Sequence, residues 1–314
     1  MPSSDLHAER GVSFRNLIMS GYRERSLSKV DSTSVLVRLK RVELSILEAI
    51  SDLCETNGIR WWLDGGTCLG AMRHGGFIPW DDDIDIGMLR PDYDRFCRLA
   101  LTELPEGFSL HTSENTEGYA ALFAKVYKDG TRFENQEGRD AGSSMGIFVD
   151  VFPYDLLYED SKLRKQQICR ASHAQKMSYL YHSNTITVPH KGVIGAVEKA
   201  GCKLLHIVER TRNKSPHEYQ REFDSAIPDS SVGTISKECL TLAWPNMDPV
   251  SVDEILPVSQ ASFEGKLYPV PRQVEKYLTI MYGDWRKIPA PEDRHTHLPL
   301  LIDFGDGEIW ESDK

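Results

Sequence analysis

Pro79-Trp80-Asp81-Asp82-Asp83-Ile84-Asp85-Ile86 carries four carboxylates in the five positions from Asp81 to Asp85. Charge that dense repels itself, so a fold that keeps it must supply an opposing charge. As a strand, the segment sends alternate side chains to opposite faces. Asp81, Asp83 and Asp85 then share one face, and Asp82, Ile84 and Ile86 the other. Three carboxylates backed by isoleucine form a set of hard oxygen ligands suited to Mg2+ or Mn2+. The plainer alternatives are a solvated acidic turn or a helix N-terminus carrying aspartates. Phe77, Ile78 and Trp80 precede the run and Ile84 and Ile86 interrupt it, which favours a buried strand. Asp is a poor strand former, and a bound cation would offset that local cost. The segment is expected to be a metal-binding strand.

Upstream, apolar residues recur at helical spacing from about Ser34 to Thr56 and stop at Asn57-Gly58. Ile59 to Asp64 reads as a strand entering a Gly65-Gly66-Thr67 turn, with a short helix from Cys68 to Arg73 after it. Downstream, Arg90 to Leu101 forms a helix with Pro91 in its first turn. Strands are expected over Ala120–Tyr127, ending at Asp129-Gly130, and over Ile147–Phe152, ending at Pro153. Between about Glu159 and Phe223 the pattern is helical and more polar, and a last helix spans Arg272 to Met281. The expected organisation is a flexible segment over 1–34, a catalytic core over 35–157, a mainly helical insertion or lid over 158–240, and a C-terminal segment over 241–314 packing on the core.

The 314 residues suffice for a substantial core, and 40% apolar with 27% charged residues is ordinary for a globular chain. A net charge of −10 argues against nucleic acid as a partner, which calls for a basic surface. The six cysteines are scattered without CxxC or zinc spacing, as expected of free thiols in a reducing compartment. No apolar run reaches the roughly 18 residues of a membrane span, and the expected location is cytoplasmic. Residues 14–25 admit a short basic amphipathic helix touching a membrane, although a loose tail fits them better.

The order of parts carries the chemistry. Glycines at a strand-to-helix turn let backbone N–H groups approach a phosphate, and the helix N-terminus adds a favourable dipole. Asp83 and Asp85 at i and i+2 suit the metal that neutralises that phosphate. Asp150, on a later strand, can complete the ligand set or act as general base. Arg73, His74 and Lys125 are candidates for contact with phosphates. Arg73 serves equally as an ion-pair partner of the aspartates, and Lys125, in an apolar strand, as a partner of Asp83 or Asp150. Arg294, His295 and His297 cluster in a loop that could close over a donor or lie solvated. Trp61, Trp62 and Trp80 read as core, while Tyr282 and Trp285 are open between packing and ligand contact.

This arrangement resembles the polymerase-β-like nucleotidyltransferase superfamily, with a Gly-Gly turn followed by Asp-x-Asp. Within it, Trp62-Leu63-Asp64-Gly65-Gly66-Thr67, Gly70-Ala71-Met72-Arg73-His74 and Gly76 to Asp85 are similar to the LicD/fukutin signature. Phe148 to Pro153, Tyr282-Gly283-Asp284, Pro289 and His295 match its later landmarks. The resemblance implies an α+β fold with a mixed sheet flanked by helices. It further implies transfer of a phospho-alcohol (phosphocholine, glycerol phosphate or ribitol phosphate) from a CDP-alcohol donor to a glycan or lipid-linked glycan acceptor. Carried over, Asp83 and Asp85 bind the divalent metal with Asp81 in or beside its shell, and Asp150 is the third carboxylate. Gly65, Gly66 and Thr67 line the phosphate site. Nucleotidyl transfer, a non-catalytic nucleotide-binding module and an Asp-x-Asp glycosyltransferase are the competing readings.

Overall fold

The apolar stripe expected from about Ser34 to Thr56 forms one long helix. In this computed structural model, which describes residues 32–183, 192–212, 215–245, 247–294 and 299–312, that helix is α1 (Ser32–Asn57). Its Val35, Leu39, Ile46, Leu47, Ile50, Leu53 and Cys54 are buried in the main core. Residues 1–31, His295 and His297 lie outside the described residues.

After α1 come β1 (Trp62–Leu63), α2 (Gly65–His74), β2 (Asp85–Leu89), α3 (Arg90–Glu103), β3 (Phe108–His111), β4 (Ala124–Glu134), α4 (Gln136–Ala141) and β5 (Met145–Tyr158). The chain continues through α5 (Ser161–His182), α6 (Gly192–Thr211), α7 (Pro216–Asp224), β6 (Ile235–Leu240), β7 (Val250–Ser251) and α8 (Val252–Ile255). It ends with β8 (Ser259–Phe263), β9 (Lys266–Val270), α9 (Val274–Tyr282), β10 (Leu301–Asp303) and β11 (Ile309–Glu311).

The class is α+β. One mixed sheet runs β1-β2-β5-β4-β10-β11, with β3 added to β4, β6 to β5 and β7 to β6. The β2–β5 pair is parallel and the other pairs are antiparallel. β8 and β9 form a separate hairpin. β5 is the central strand: β2 lies on one edge, and the other edge passes from β4 at Met145–Val151 to β6 at Asp155–Tyr158. Its Ile147, Val149, Val151 and Tyr154 belong to the main core. Leu157 belongs to a second core with Ala171 and Ala174 of α5 and Tyr219 and Phe223 of α7.

Several expected boundaries move, each for a local reason. The aspartate strand begins only at Asp85, and Asp81–Ile84 make no ladder. Its neighbour β1 is two residues long and pairs only with Ile86 and Gly87, and toward β5 the last contact is Ile84 O accepting the Asp150 N–H at 3.0 Å. The alternation nevertheless holds, with Asp82, Ile84 and Ile86 buried and Asp81, Asp83 and Asp85 partly exposed. Gly65, Gly66 and Thr67 form the first turn of α2 rather than a turn before it, because Asp64 caps the helix by accepting the Gly65 N–H at 2.8 Å.

Residues 120–123 are not strand. Their polar backbone is taken up by α5, where Gln175 accepts from Leu122 N at 3.0 Å and Ser178 Oγ donates to Ala120 O at 2.7 Å. β4 instead continues past Asp129-Gly130, with an irregularity in register between Lys128 and Phe133. β5 likewise runs through Pro153. Asp150 N–H points to β2, donating to Ile84 O at 3.0 Å, so by alternation position 153 faces the other edge. That edge is open there, between the last β4 partner at Val151 and the first β6 partner at Asp155, and a missing donor costs nothing.

Candidate active site

Asp85 is held to the start of α2 from two sides. Its N–H donates to Thr67 Oγ1 at 2.8 Å, and its carbonyl accepts the Asp64 N–H at 3.0 Å. The glycines make room for two carboxylates. A Cβ on Gly66 would sit 2.8 Å from Asp81 Oδ2, and one on Gly65 would sit 3.1 Å from Asp85 Oδ2. Gly65 also adopts φ +48°, in the left-handed region. Asp81 and Asp85 therefore rest on the first turn of α2, the positive end of the helix dipole.

The sheet adds a row beside them. Asp85 pairs in register with Asp150 on β5, and Asp150 pairs with Lys125 on β4. Register partners on adjacent strands present their side chains on the same face. The Lys125 ammonium forms an ion pair with Asp150 Oδ1 and stands over the Phe148 ring, 3.5 Å from its centroid. The expectation for Lys125 named Asp83, Asp150 or a phosphate; Asp150 is the partner in this structure.

Burial, and after it self-repulsion, dominates the electrostatics. Burial, then the charges of Asp83 and Asp82, push the Asp81 carboxyl up to about 7, and a side-chain hydrogen bond with Asp83 acts in the same direction. Loss of water, then the charges of Asp83 and Asp150, hold Asp85 well above the usual carboxylate range. Burial also raises Asp150, against the opposing pull of Lys125. Lys40, whose ammonium donates to the carbonyls of Ile78 at 2.9 Å and Pro79 at 3.2 Å, is near enough to Asp81 to partly neutralise it.

The donor set is chemically right for a hard divalent cation, with oxygen ligands throughout and too little positive charge to balance them. Asp81, Asp83, Asp85 and Asp150 are the residues that would hold one. No three His, Cys, Asp or Glu side chains among the described residues already stand at metal-ligating positions. Binding would require the carboxylates to turn inward, including release of Asp150 from Lys125.

The other expected residues lie around this centre. Arg73 turns away from the aspartates, with Nη1 donating to the carbonyls of Trp285 at 2.9 Å and Lys287 at 3.3 Å. It clamps α2 to the segment after α9. His74 ends α2 with its ring edge-on to Trp80, centroids 6.2 Å apart, and Arg294 stacks on the same Trp80 at 4.5 Å. Two other acids, Asp64 and Asp155, have separate duties. Asp64 caps α2 and accepts from the hydroxyls of Tyr154, at 3.0 Å, and Tyr277. Asp155, fully buried, takes a bidentate grip from Arg90 at 2.7 Å on each oxygen.

Two further residues belong to the site. The Tyr282 hydroxyl would lie 3.8 Å from a Cβ on Gly65, and burial and the nearby Asp85 raise its pKa well above the usual phenol range. Glu43 of α1 is 2% exposed behind the run, and burial, then Asp83 and Asp82, raise its carboxyl far above normal. Its signal was present: Glu43 falls between Leu39 and Ile46/Leu47 on the stripe that α1 buries, where an acid is out of place.

Comparison with known proteins adds an independent line. A family model described as LicD/FKTN/FKRP, nucleotidyltransferase domain, matches residues 58–193. The lipopolysaccharide cholinephosphotransferase LicD of Haemophilus influenzae is 29% identical over 268 residues, covering 81% of this chain and 92% of that protein. Human ribitol 5-phosphate transferase FKRP is 55% identical over 38 residues, 12% of this chain and 8% of that protein. Human ribitol-5-phosphate transferase FKTN is 28% identical over 107 residues, 33% of this chain and 23% of that protein.

Proposed function

The chain belongs to the LicD/fukutin family and is a transferase of the LicD type, and from that premise we propose a divalent-metal-dependent phosphotransferase. It moves a phospho-alcohol from a CDP-activated donor to a hydroxyl of a glycan or lipid-linked glycan, on a core with the nucleotidyltransferase fold. The observation that carries this reading is the meeting of Asp81 and Asp85 on the glycine turn of α2, with Asp150 and Lys125 beside them in register. The activities named for the relatives, on choline phosphate and ribitol phosphate, supply the substrate class.

In the reaction, the acceptor hydroxyl attacks the donor's β-phosphorus in line. A new P–O bond forms, the bond to the bridging oxygen breaks, and CMP leaves with that oxygen. The first turn of α2, whose Gly65 N–H is taken by Asp64, offers the phosphate the positive end of its helix dipole. Asp81, Asp83 and Asp85 would hold the cation, whose charge would offset the negative charge of the transferring phosphate. Asp150, freed from Lys125, either completes the ligand set or takes the acceptor's proton. Lys125 is then available to a phosphate oxygen.

The test is product analysis with CDP-choline, CDP-glycerol and CDP-ribitol, each with a glycan acceptor and Mg2+ or Mn2+. Release of CMP from one donor, lost in Asp85→Asn, supports the proposal. Pyrophosphate release from a nucleoside triphosphate in its place would establish nucleotidyl transfer. A screen by thermal shift identifies the donor in advance, since a ligand that binds the native state raises Tm.

A further inference from the structure

Helix α6 is mounted with its apolar side outward. At the helical repeat, Ile194, Val197, Leu204, Leu205, Ile207 and Val208 cover an arc of about 160°, and each is between 38% and 68% exposed. The face turned to the protein is polar. Glu209, 2% exposed, accepts from the Tyr219 hydroxyl at 2.8 Å and from Arg212 at 2.7 Å. His206 Nδ1 donates to the Leu180 carbonyl of α5 at 2.7 Å. A surface helix of a globular protein normally shows the reverse, with its apolar stripe toward the core.

The border of this apolar arc has a definite charge. Lys199, Lys203 and Arg210 are exposed and fall in a strip about 40° wide alongside Ile207. Arg210 reaches across the Tyr181 ring, 4.9 Å from its centroid. A broad apolar face edged by cations on long stems is the pattern of a helix lying in the plane of a lipid interface. The apolar side chains enter the acyl boundary, and the stems carry the charges back to the headgroups. A second copy of the helix would bring the same cations to the border, whereas lipid phosphates bring the opposite charge. With a net charge of −10, the chain as a whole is repelled by an anionic surface, so attraction must come from a local feature such as this one.

We propose that α6 docks the protein on a bilayer containing anionic phospholipid. The helix is linked to the candidate site through α5, where Leu180 O accepts from His206 of α6. α6 follows α5, whose Tyr179 and His182 line, with Ser183 and Lys125, a cavity of about 100 Å3. If the proposed transfer is correct, the bilayer would hold the chain on the membrane from which a lipid-linked acceptor comes. The docking itself does not depend on that activity.

Co-sedimentation of the full chain with vesicles tests it, comparing phosphatidylcholine alone with equal parts phosphatidylcholine and phosphatidylglycerol. Binding is expected to the anionic vesicles and to weaken with salt. Leu204→Gln/Ile207→Gln should abolish it, and Lys199→Gln/Lys203→Gln should weaken it about tenfold or more. Both pairs replace exposed side chains, so Tm should stay at the wild-type value. The proposal is overturned if wild type ignores anionic vesicles, or if both variants bind like wild type. It is equally overturned if the wild-type chain is a dimer that Leu204→Gln/Ile207→Gln converts to monomer without any vesicle binding, since the face would then join copies of the chain. Donor hydrolysis measured in the same samples separates failure of docking from failure of the proposed chemistry.

Discussion

At the scale of single residues, the site is a set of acids whose ionisation opposes folding. Asp81 keeps its proton up to about pH 7 in the folded chain, whereas an unfolded aspartate loses it near pH 4. The folded state therefore binds the proton more tightly. Its advantage is complete below about pH 4 and is lost as pH rises through about 7. Asp85, Asp64 and Glu43 are raised as well and act with the same sign. In chelator, Tm should fall between pH 5 and pH 8, and Asp81→Asn should flatten part of that fall. Added Mg2+ should restore Tm at pH 8 far more than at pH 5, where protons compete for the same oxygens. A metal-free Tm that climbs with pH over this range would refute the electrostatic account. The aspartates themselves were legible in sequence because their density is abnormal. Glu43 and Tyr282 were legible only as an acid on an apolar stripe and a tyrosine of open role, because only the packing of α1 and α9 brings them to the site.

At the scale of elements, α2 with its glycine turn is the part on which the site is built. Gly66→Ala is a useful probe because the residue is already helical, and alanine there gains up to about 1 kcal/mol of helix propensity. The new methyl would stand 2.8 Å from Asp81 Oδ2, and the carboxylate must move. The expected result is unchanged or slightly raised stability with turnover reduced about 10-fold to 100-fold. Near-wild-type turnover would mean that Asp81 need not occupy its observed position. The aspartate strand was only half legible for a reason specific to this element. Burial alternates from Asp81 onward, as the pattern requires, but strand pairing begins at Asp85, with Ile84 giving only its carbonyl to Asp150 and β1 reaching no further than Ile86.

At the scale of the molecule, β5 joins two cores, and the Arg90–Asp155 pair sits where its neighbour changes from β4 to β6. Asp155 is in register with Leu240 of β6 and binds Arg90 at the start of α3. Replacing it by Asn would leave the buried Arg90 charge only the half-exposed Asp94, 3.7 Å away, as counter-ion. Removing one partner of such a pair typically costs about 3–5 kcal/mol. Asp155→Asn should lose that much in urea denaturation, and a change below about 1 kcal/mol would show that water reaches the guanidinium. This duty of Asp155 could not be told from that of Asp150 in the sequence. Both are single acids on one strand, and only their neighbours across the sheet differ.

The sequence by itself determined the make-up of the candidate site, because carboxylate density, glycines at a helix start and the spacing between them are local properties of the chain. It also determined the succession of helices and the alternation around Asp81–Ile86, which follow from short-range periodicity. Tertiary structure alone decided which acid meets which base. Lys125 reaches Asp150 through the register of β4 on β5, Asp155 is claimed by Arg90, and Arg73 is drawn off to the carbonyls of Trp285 and Lys287. It also decided that α6 turns its apolar face outward, since periodicity reveals an amphipathic helix but not which side its neighbours leave bare. Pairings between residues distant in the chain depend on loop closure and strand register, and neither is written in any local pattern.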